Sequence, residues 1–251
     1  MASMPDGAPA SFYAFPAAYN RRRSSVVVSG TSVRRPYGML RVPSSGEFEF
    51  VPSRRMDYEL ELGFFVSKPV DYGKVIKGAD EAKEHIFGFV LLNDWSARDV
   101  QFTEMIPLGP VNGKASATTI SPWVVTLDAL KGMEEVIGDE MARERMAKLP
   151  PHLRHDSAEQ TWSINVEVAL KRKGYKIPVT LAQSDLKTFV LVTGAGFGSP
   201  GVVGMWIADW RSAGDWNNFF SSEGVIAVFL LELLARGEWS RNEAFSDVEW
   251  G

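Results

Sequence analysis

The chain has 251 residues, 45% hydrophobic and 23% charged, which are globular values that exclude disordered, collagen-like and coiled-coil readings. Its 27 Lys and Arg against 31 Asp and Glu give a formal charge of −4, so there is no basic excess to gather a phosphate backbone and nucleic acid is not expected as a partner. With no cysteine and only three histidines, disulfides, thiolate zinc sites and thiol nucleophiles are excluded, and a metal here would rest on oxygen ligands.

Residues 1–24 are rich in Ala, Pro, Ser and Arg and end in Arg21-Arg22-Arg23, which reads as loop or tail. Met1 to Ala10 lacks a basic cluster followed by an apolar run, so no secretory leader is expected. The β-branched Ser25 to Gly30 predicts a short buried strand, and Arg34 to Gly38 a turn. From Met56 to Val66 the chain alternates, with Tyr58, Leu60 and Leu62 on one side and Glu59, Glu61 and Gly63 on the other, the two-residue period of a strand. Ala79 to Glu84 predicts a helix, and Ile86 to Leu92 a strand covered on both faces that stops at Asn93-Asp94-Trp95.

Ala97 to Met105 is expected as a helix, Pro107 to Gly113 as a loop and Pro122 to Thr126 as a short strand. Residues 127–160 read as a helix followed by a surface excursion around Pro150-Pro151. Trp162, Ile164, Val166, Val168 and Leu170 alternate with polar residues in a half-buried strand, and Lys173-Gly174 marks a hairpin turn into Tyr175 to Leu181. Val225 to Arg236 is an apolar run expected as a buried helix. The longest greasy stretch is about half of the ~20 residues that cross a bilayer, so no membrane span is expected and the cytoplasm is the expected address. Many short strands, few long helices and no repeat predict a mainly β or α+β domain.

The candidate chemistry lies in Glu59 and Glu61 with Asp94. Carboxylates two residues apart on a strand lie roughly 7 Å from each other, and their repulsion raises a pKa or bends them outward unless a positive charge lies between them. A hard divalent cation would resolve the repulsion, with a third carboxylate arriving from the end of a neighbouring buried strand. The plain alternative is a solvated acidic strand face with an Asp opening a turn. Arg98 and Gln101, one helical turn apart, can face the same cleft or simply occupy an exposed helix face. Lys114 follows Gly113 in a loop with Thr118 close behind. Beside carboxylates such a lysine neutralises charge or stabilises an oxyanion, and elsewhere it is solvated.

Longer motifs carry a resemblance. Ser24-Ser25-Val26-Val27-Val28-Ser29-Gly30-Thr31, Arg34-Arg35-Pro36 and Asp57-Tyr58-Glu59-Leu60-Glu61-Leu62-Gly63-Phe64-Phe65-Val66 are similar to the fumarylacetoacetate hydrolase family. So are His85-Ile86-Phe87-Gly88, Leu92-Asn93-Asp94-Trp95-Ser96-Ala97-Arg98-Asp99, Pro107-Leu108-Gly109-Pro110, Gly113-Lys114 and Thr118 to Val125. The resemblance covers roughly residues 16–188, with order and spacing kept. It implies a β-roll catalytic domain over 16–188, incomplete at both ends, preceded by a tail over 1–15 and followed by a divergent tail of uncertain fold over 189–251.

It also implies a homodimer and a metal-assisted hydrolase of a diketo acid. The family reaction cleaves a carbon–carbon bond of fumarylacetoacetate, a step of tyrosine and phenylalanine catabolism, to give fumarate and acetoacetate. By the same resemblance Glu59, Glu61 and Asp94 hold Ca²⁺ or Mg²⁺, and Lys114 and Thr118 match a second, Mg²⁺ site. Tyr19, Gln101 and Tyr13 match substrate contacts, and Arg98 and Lys114 match the groups that stabilise the leaving anion.

The departures are as specific. Where the family has Asp-Phe-Tyr and then a water-activating His, this chain has Ser11-Phe12-Tyr13 running into Ala14-Phe15-Pro16, so the first metal Asp and the catalytic His have no counterpart. Met105 stands where a substrate tyrosine is expected, and the glycine-rich substrate segment expected beyond Thr188 is not recognisable. We therefore expect a truncated or spliced form, with a catalytically impaired metal-binding remnant, an acylpyruvase or an oxaloacetate decarboxylase-type member as alternatives. His85 is expected to be structural. Phe189 to Gly198 superficially resembles a dinucleotide-binding strand and glycine turn, but Pro200 and the short remaining chain argue against it.

Overall fold

A computed structural model describes residues 23–136, 140–147, 151, 161–172, 176–186, 202–206 and 225–232. Tyr13, Tyr19, His152, His155, the Lys173-Gly174 turn and the 189–198 stretch lie outside them. Strands dominate and helices are short, so the mainly β, α+β class expected from the sequence holds.

The central strand is the predicted apolar run. In chain order the first part comprises β1 (Val26–Val28), β2 (Tyr37–Arg41), β3 (Phe48–Pro52), β4 (Met56–Asp57), β5 (Leu60–Val66), α1 (Ala79–Lys83), β6 (Ile86–Asp94), β7 (Ser96–Ala97), α2 (Arg98–Thr103), β8 (Thr118–Ile120) and β9 (Val125–Thr126). β6 runs through Asp94 instead of stopping at Asn93, because Asn93 and Asp94 keep ladder partners, Thr119 and Thr118, on β8. β5 lies antiparallel on its other side, with Leu60 opposite Asn93 and Glu61 opposite Leu92. The six-stranded sheet runs β1-β8-β6-β5-β14, with β9 also on β6 and β14 formed by Val202–Trp206.

The period of two sorts these residues onto two faces. On one, Leu62, Phe64, Phe89 and Leu91 pack with Leu130, Trp162, Ile164, Val166 and Leu186 into the main core. Each such side chain contributes roughly 1.5–3 kcal/mol on full burial. Phe89 meets Phe64 and Trp162 edge-on at 6.3 and 5.4 Å between ring centroids. On the opposite face, Val90, Leu92 and Ile120 form a smaller cluster, and Glu61 follows their parity. β5 is thus covered on both faces, not only on the Leu side.

The remaining elements are β10 (Glu134–Glu135), α3 (Glu140–Ala147), β11 (Thr161–Trp162), β12 (Asn165–Arg172), β13 (Val179–Asp185) and β15 (Val225–Glu232). The alternation expected from Trp162 to Leu170 holds, since Trp162, Ile164, Val166, Val168 and Leu170 are all buried. β12 pairs antiparallel with β13 on one side and with β15 on the other.

Several local expectations need correction. β1 has one neighbour among the described strands, and Val28 is exposed, not buried. Tyr37 and Gly38 do not close a turn; they begin β2, which pairs with β3 around Pro43-Ser44-Ser45-Gly46, where Gly46 takes a φ of 73°. Gly38 has no room for a side chain, since a Cβ there would lie 2.5 Å from Val100 of α2. The strand expected at Pro122 is only Val125–Thr126, and the stretch after it opens with a 3₁₀ turn, Leu127–Leu130, before the short helix α3. Val225–Glu232 is a strand, not a helix, because this apolar run, opened by Val225, Ile226 and Val228, supplies the second partner of β12 along eight residues.

Candidate active site

The sheet edge at the C-terminal end of β6 gathers the predicted carboxylates. The Asp94 N–H donates to the Glu59 carbonyl at 3.0 Å, and the Glu59 N–H to the Asn93 side-chain oxygen at 3.3 Å, so the chain before β5 stays locked to β6. Glu59, Glu61 and Asp94 are all buried, and one oxygen of each lies within 4.8 Å of the other two. Neither the solvated acidic face nor the surface turn therefore describes them. Thr118, buried on β8, is the ladder partner of Asp94.

Among the described residues, two cations face this cluster. Lys114 is 2% exposed, far from the solvated loop lysine that its neighbours in sequence imply. Its Nζ lies 2.5 Å from Glu59 Oε2 and 2.5 Å from Asp94 Oδ2, and donates to Ser96 Oγ at 2.7 Å. The 3₁₀ turn Asn112–Lys114 brings it there, entered through Val111 at a φ of 61°, a left-handed conformation that a β-branched residue rarely adopts. Gly113 permits the approach, because a Cβ would lie 2.4 Å from the Gln101 main-chain nitrogen. Glu104 accepts the Gly113 N–H at 3.0 Å and ties the turn to the end of α2.

Arg98, the first residue of α2, reaches Glu59 Oε1 at 2.6 Å through Nη1, and the same nitrogen donates to Gln101 Oε1 at 3.1 Å. The helical spacing of Arg98 and Gln101 thus does place them in one cleft. Burial opposes ionisation of Glu59, but Lys114 and Arg98 on its two oxygens outweigh this and hold its carboxyl below the usual carboxylate range. Burial likewise opposes the charge on Arg98, and Asp57 with Glu59 more than offset it.

Two contributors escaped the sequence reading. Asp57 Oδ2 accepts from Arg98 Nε at 2.6 Å and pairs with Nη2 at 2.6 Å. Its signal was present, because Asp57, Glu59 and Glu61 alternate. Ser96 gave none, as an isolated serine after a strand is ordinarily a turn residue.

This donor set fits a hard divalent cation. Among the described residues, four carboxylates, Asp57, Glu59, Glu61 and Asp94, face two cations, Arg98 and Lys114, a formal charge of −2. One divalent ion balances it, and carboxylate oxygen is the ligand that Mg²⁺ and Ca²⁺ prefer. Glu59, Glu61 and Asp94 each bring one oxygen within 4.8 Å of the other two, close enough to share one ion. The protonated Lys114 side chain has no lone pair for a metal, so it offers charge, and any ligation by this residue falls to its main-chain oxygen.

A family model described as fumarylacetoacetate (FAA) hydrolase C-terminal matches residues 3–173. Fumarylacetoacetase of Rattus norvegicus is 46% identical over 172 residues, which are 68% of this chain and 39% of the rat protein. The Homo sapiens fumarylacetoacetase is 43% identical over 172 residues, with the same shares of 68% and 39%. That of Arabidopsis thaliana is 40% identical over 176 residues, 70% of this chain and 40% of the plant protein. The chain thus spans about two fifths of the length of these curated relatives. Every site residue described above falls inside the matched segment, and the chain belongs to the fumarylacetoacetate hydrolase family through its C-terminal domain.

Proposed function

We propose that this chain is a metal-assisted hydrolase that cleaves a carbon–carbon bond of a diketo acid, with fumarylacetoacetate going to fumarate and acetoacetate as the reference reaction. The observation that carries this reading is the buried Glu59, Glu61 and Asp94 cluster with Arg98 and Lys114 against it. A Mg²⁺ or Ca²⁺ ion held by the three carboxylates would supply Lewis-acid polarisation of the diketo group. Water adds to one carbonyl carbon, the adjacent carbon–carbon bond breaks, and its electron pair leaves as an enolate that takes up a proton. Arg98 and Lys114 provide positive charge where that enolate develops, and the Gln101 amide, bonded to Arg98, orients the substrate. Lys114 and Thr118, the latter the ladder partner of Asp94, enter as a second Mg²⁺ site, and Tyr13 and Tyr19 as substrate contacts, through the resemblance alone.

One observation favours a second reading, a metal-binding member of the fold with impaired turnover. His85 is the only histidine among the described residues, and its Nδ1 lies 2.7 Å from the Lys68 carbonyl at the far end of β6. At about 3.4 Å per residue it lies roughly 30 Å along the strand from Asp94, too far to activate a water there. Loss of fumarylacetoacetate absorbance with and without Mg²⁺ or Ca²⁺ separates the readings. Metal-dependent turnover is expected, and its absence at high protein concentration, with Mg²⁺ binding still lost in Glu61→Ala by calorimetry, leaves the impaired form. Acylpyruvates and oxaloacetate in the same assay test the related activities.

Two further parts of the proposal are a homodimer and a cytoplasmic location. No helix among the described residues is long and apolar enough to cross a membrane. Tyr37, Met39, Phe48 and Phe50 form an exposed apolar face on the β2–β3 hairpin, the kind of surface that a second copy covers. Sedimentation equilibrium is expected to give a dimer, and a monomer at micromolar concentration would remove that part.

A further inference from the structure

Arg98 is a long side chain with many rotamers, yet its guanidinium takes one orientation. Nη1 points at Glu59 and Gln101, while Nε and Nη2 both close on a single oxygen of Asp57. Asp57 adds its charge to the site but is not one of the three carboxylates whose oxygens converge. It lies on β4, whose two residues pair with β7: Met56 opposite Ala97 and Asp57 opposite Ser96. That two-residue ladder sits directly before α2, and the Arg98 N–H donates to the Arg55 carbonyl at 2.8 Å, so the main chain of Arg98 is fixed to the same segment that holds its side chain. The next residue is anchored there too, since Asp99 accepts from Ser53 Oγ and from the Arg54 N–H, each at 2.6 Å. Ser96, the ladder partner of Asp57, receives the Lys114 ammonium. One short ladder therefore sets the direction of both cations that meet on Glu59.

We infer that Asp57 is a positioning residue, which aims the Arg98 guanidinium at the reacting end of the cleft without touching substrate or metal. This rests on the reading of Arg98 as the group that meets developing negative charge, because the orientation matters only if Nη1 has a task. With Nε and Nη2 both held on Asp57 Oδ2, the planar guanidinium turns Nη1 toward Glu59 and Gln101, the side on which its positive charge faces the cleft. A misplacement of about 1 Å in such a group costs about a hundredfold in rate.

The test uses the full chain with Mg²⁺ and the variants Asp57→Asn, Asp57→Glu and Arg98→Lys. In ¹⁵N NMR the native protein is expected to show a slowly exchanging Nε–H signal that is absent in Arg98→Lys and thereby assigned to Arg98. Asp57→Asn is expected to lose that signal and to lower kcat about 10- to 100-fold with KM little changed, while Asp57→Glu restores both in part at an unchanged melting temperature. An Asn variant that keeps the signal and native kcat overturns the inference. So does a loss of activity that tracks melting temperature and is not restored by Glu, which is the behaviour of a purely structural residue. If the native chain shows no turnover, the proposed reaction fails, and the NMR signal alone still decides whether Asp57 orients Arg98.

Discussion

Lys114→Met is expected to lower the unfolding free energy by about 3–5 kcal/mol, the cost of leaving buried charge without its partner. The native ammonium is nearly inaccessible and bridges Glu59 and Asp94, which are themselves buried. Methionine keeps most of the volume and removes the charge with its hydrogen bonds, among them the one to Ser96, so cavity formation contributes little. The site charge then falls from −2 to −3, and saturating Mg²⁺ should raise the melting temperature of the variant more than that of the native protein. Combining Lys114→Met with Asp94→Asn should cost less than the two changes added together, because the second relieves the charge that the first exposes. Denaturant titration with and without Mg²⁺ measures all of this. Native stability in metal-free Lys114→Met would show that the lysine does not compensate the cluster.

Gly113→Ala is the second large effect, and it acts on the backbone. The added Cβ would lie 2.4 Å from the Gln101 nitrogen and 2.7 Å from its Cα, both main-chain atoms of α2 that cannot swing aside. The turn has to lift away from the helix, and the Gly113 N–H to Glu104 bond goes with it. Overpacking of this kind costs about 1–3 kcal/mol, and here the displacement also carries Lys114 off its two carboxylates. Gly73→Ala is the control, since Gly73 has a φ of 78° with no atom near its Cβ position and reports conformational strain alone. Mg²⁺ calorimetry and melting on both variants distinguish the effects, because only Gly113→Ala is expected to change metal affinity. Equal behaviour of the two would mean that the approach to Gln101 is unimportant.

What the sequence made legible follows from local periodicity. Glu59 and Glu61 share a face because a strand repeats every two residues, and Arg98 meets Gln101 because a helix brings neighbours round every three or four. Asp94 announced itself as the first carboxylate after an unbroken apolar run. Lys114 did not, because whether a loop lysine is solvated or buried depends on carboxylates on other strands, which no local pattern records. The β2–β3 hairpin was hidden for the opposite reason: its outward face carries Tyr37, Met39, Phe48 and Phe50, so the polar-out half of the usual alternation is missing. Val225–Glu232 misled by its apolar length, since β-branched runs and buried helices look alike until a pairing partner is known.

The pairing of β14 with β5 bears on the order in which the molecule assembles. Glu61 and Asp94 are brought together by β5 and β6, which are near neighbours in the chain, so their union closes a short loop. The opposite edge of β5, with Glu61 in register with Trp206, is sealed by a segment that lies beyond β13. Loop-closure entropy favours the first pairing early and the second late. The strand that carries Glu61 therefore spends part of folding with one row of backbone groups open to any other strand, while the carboxylate cluster beside it has already formed.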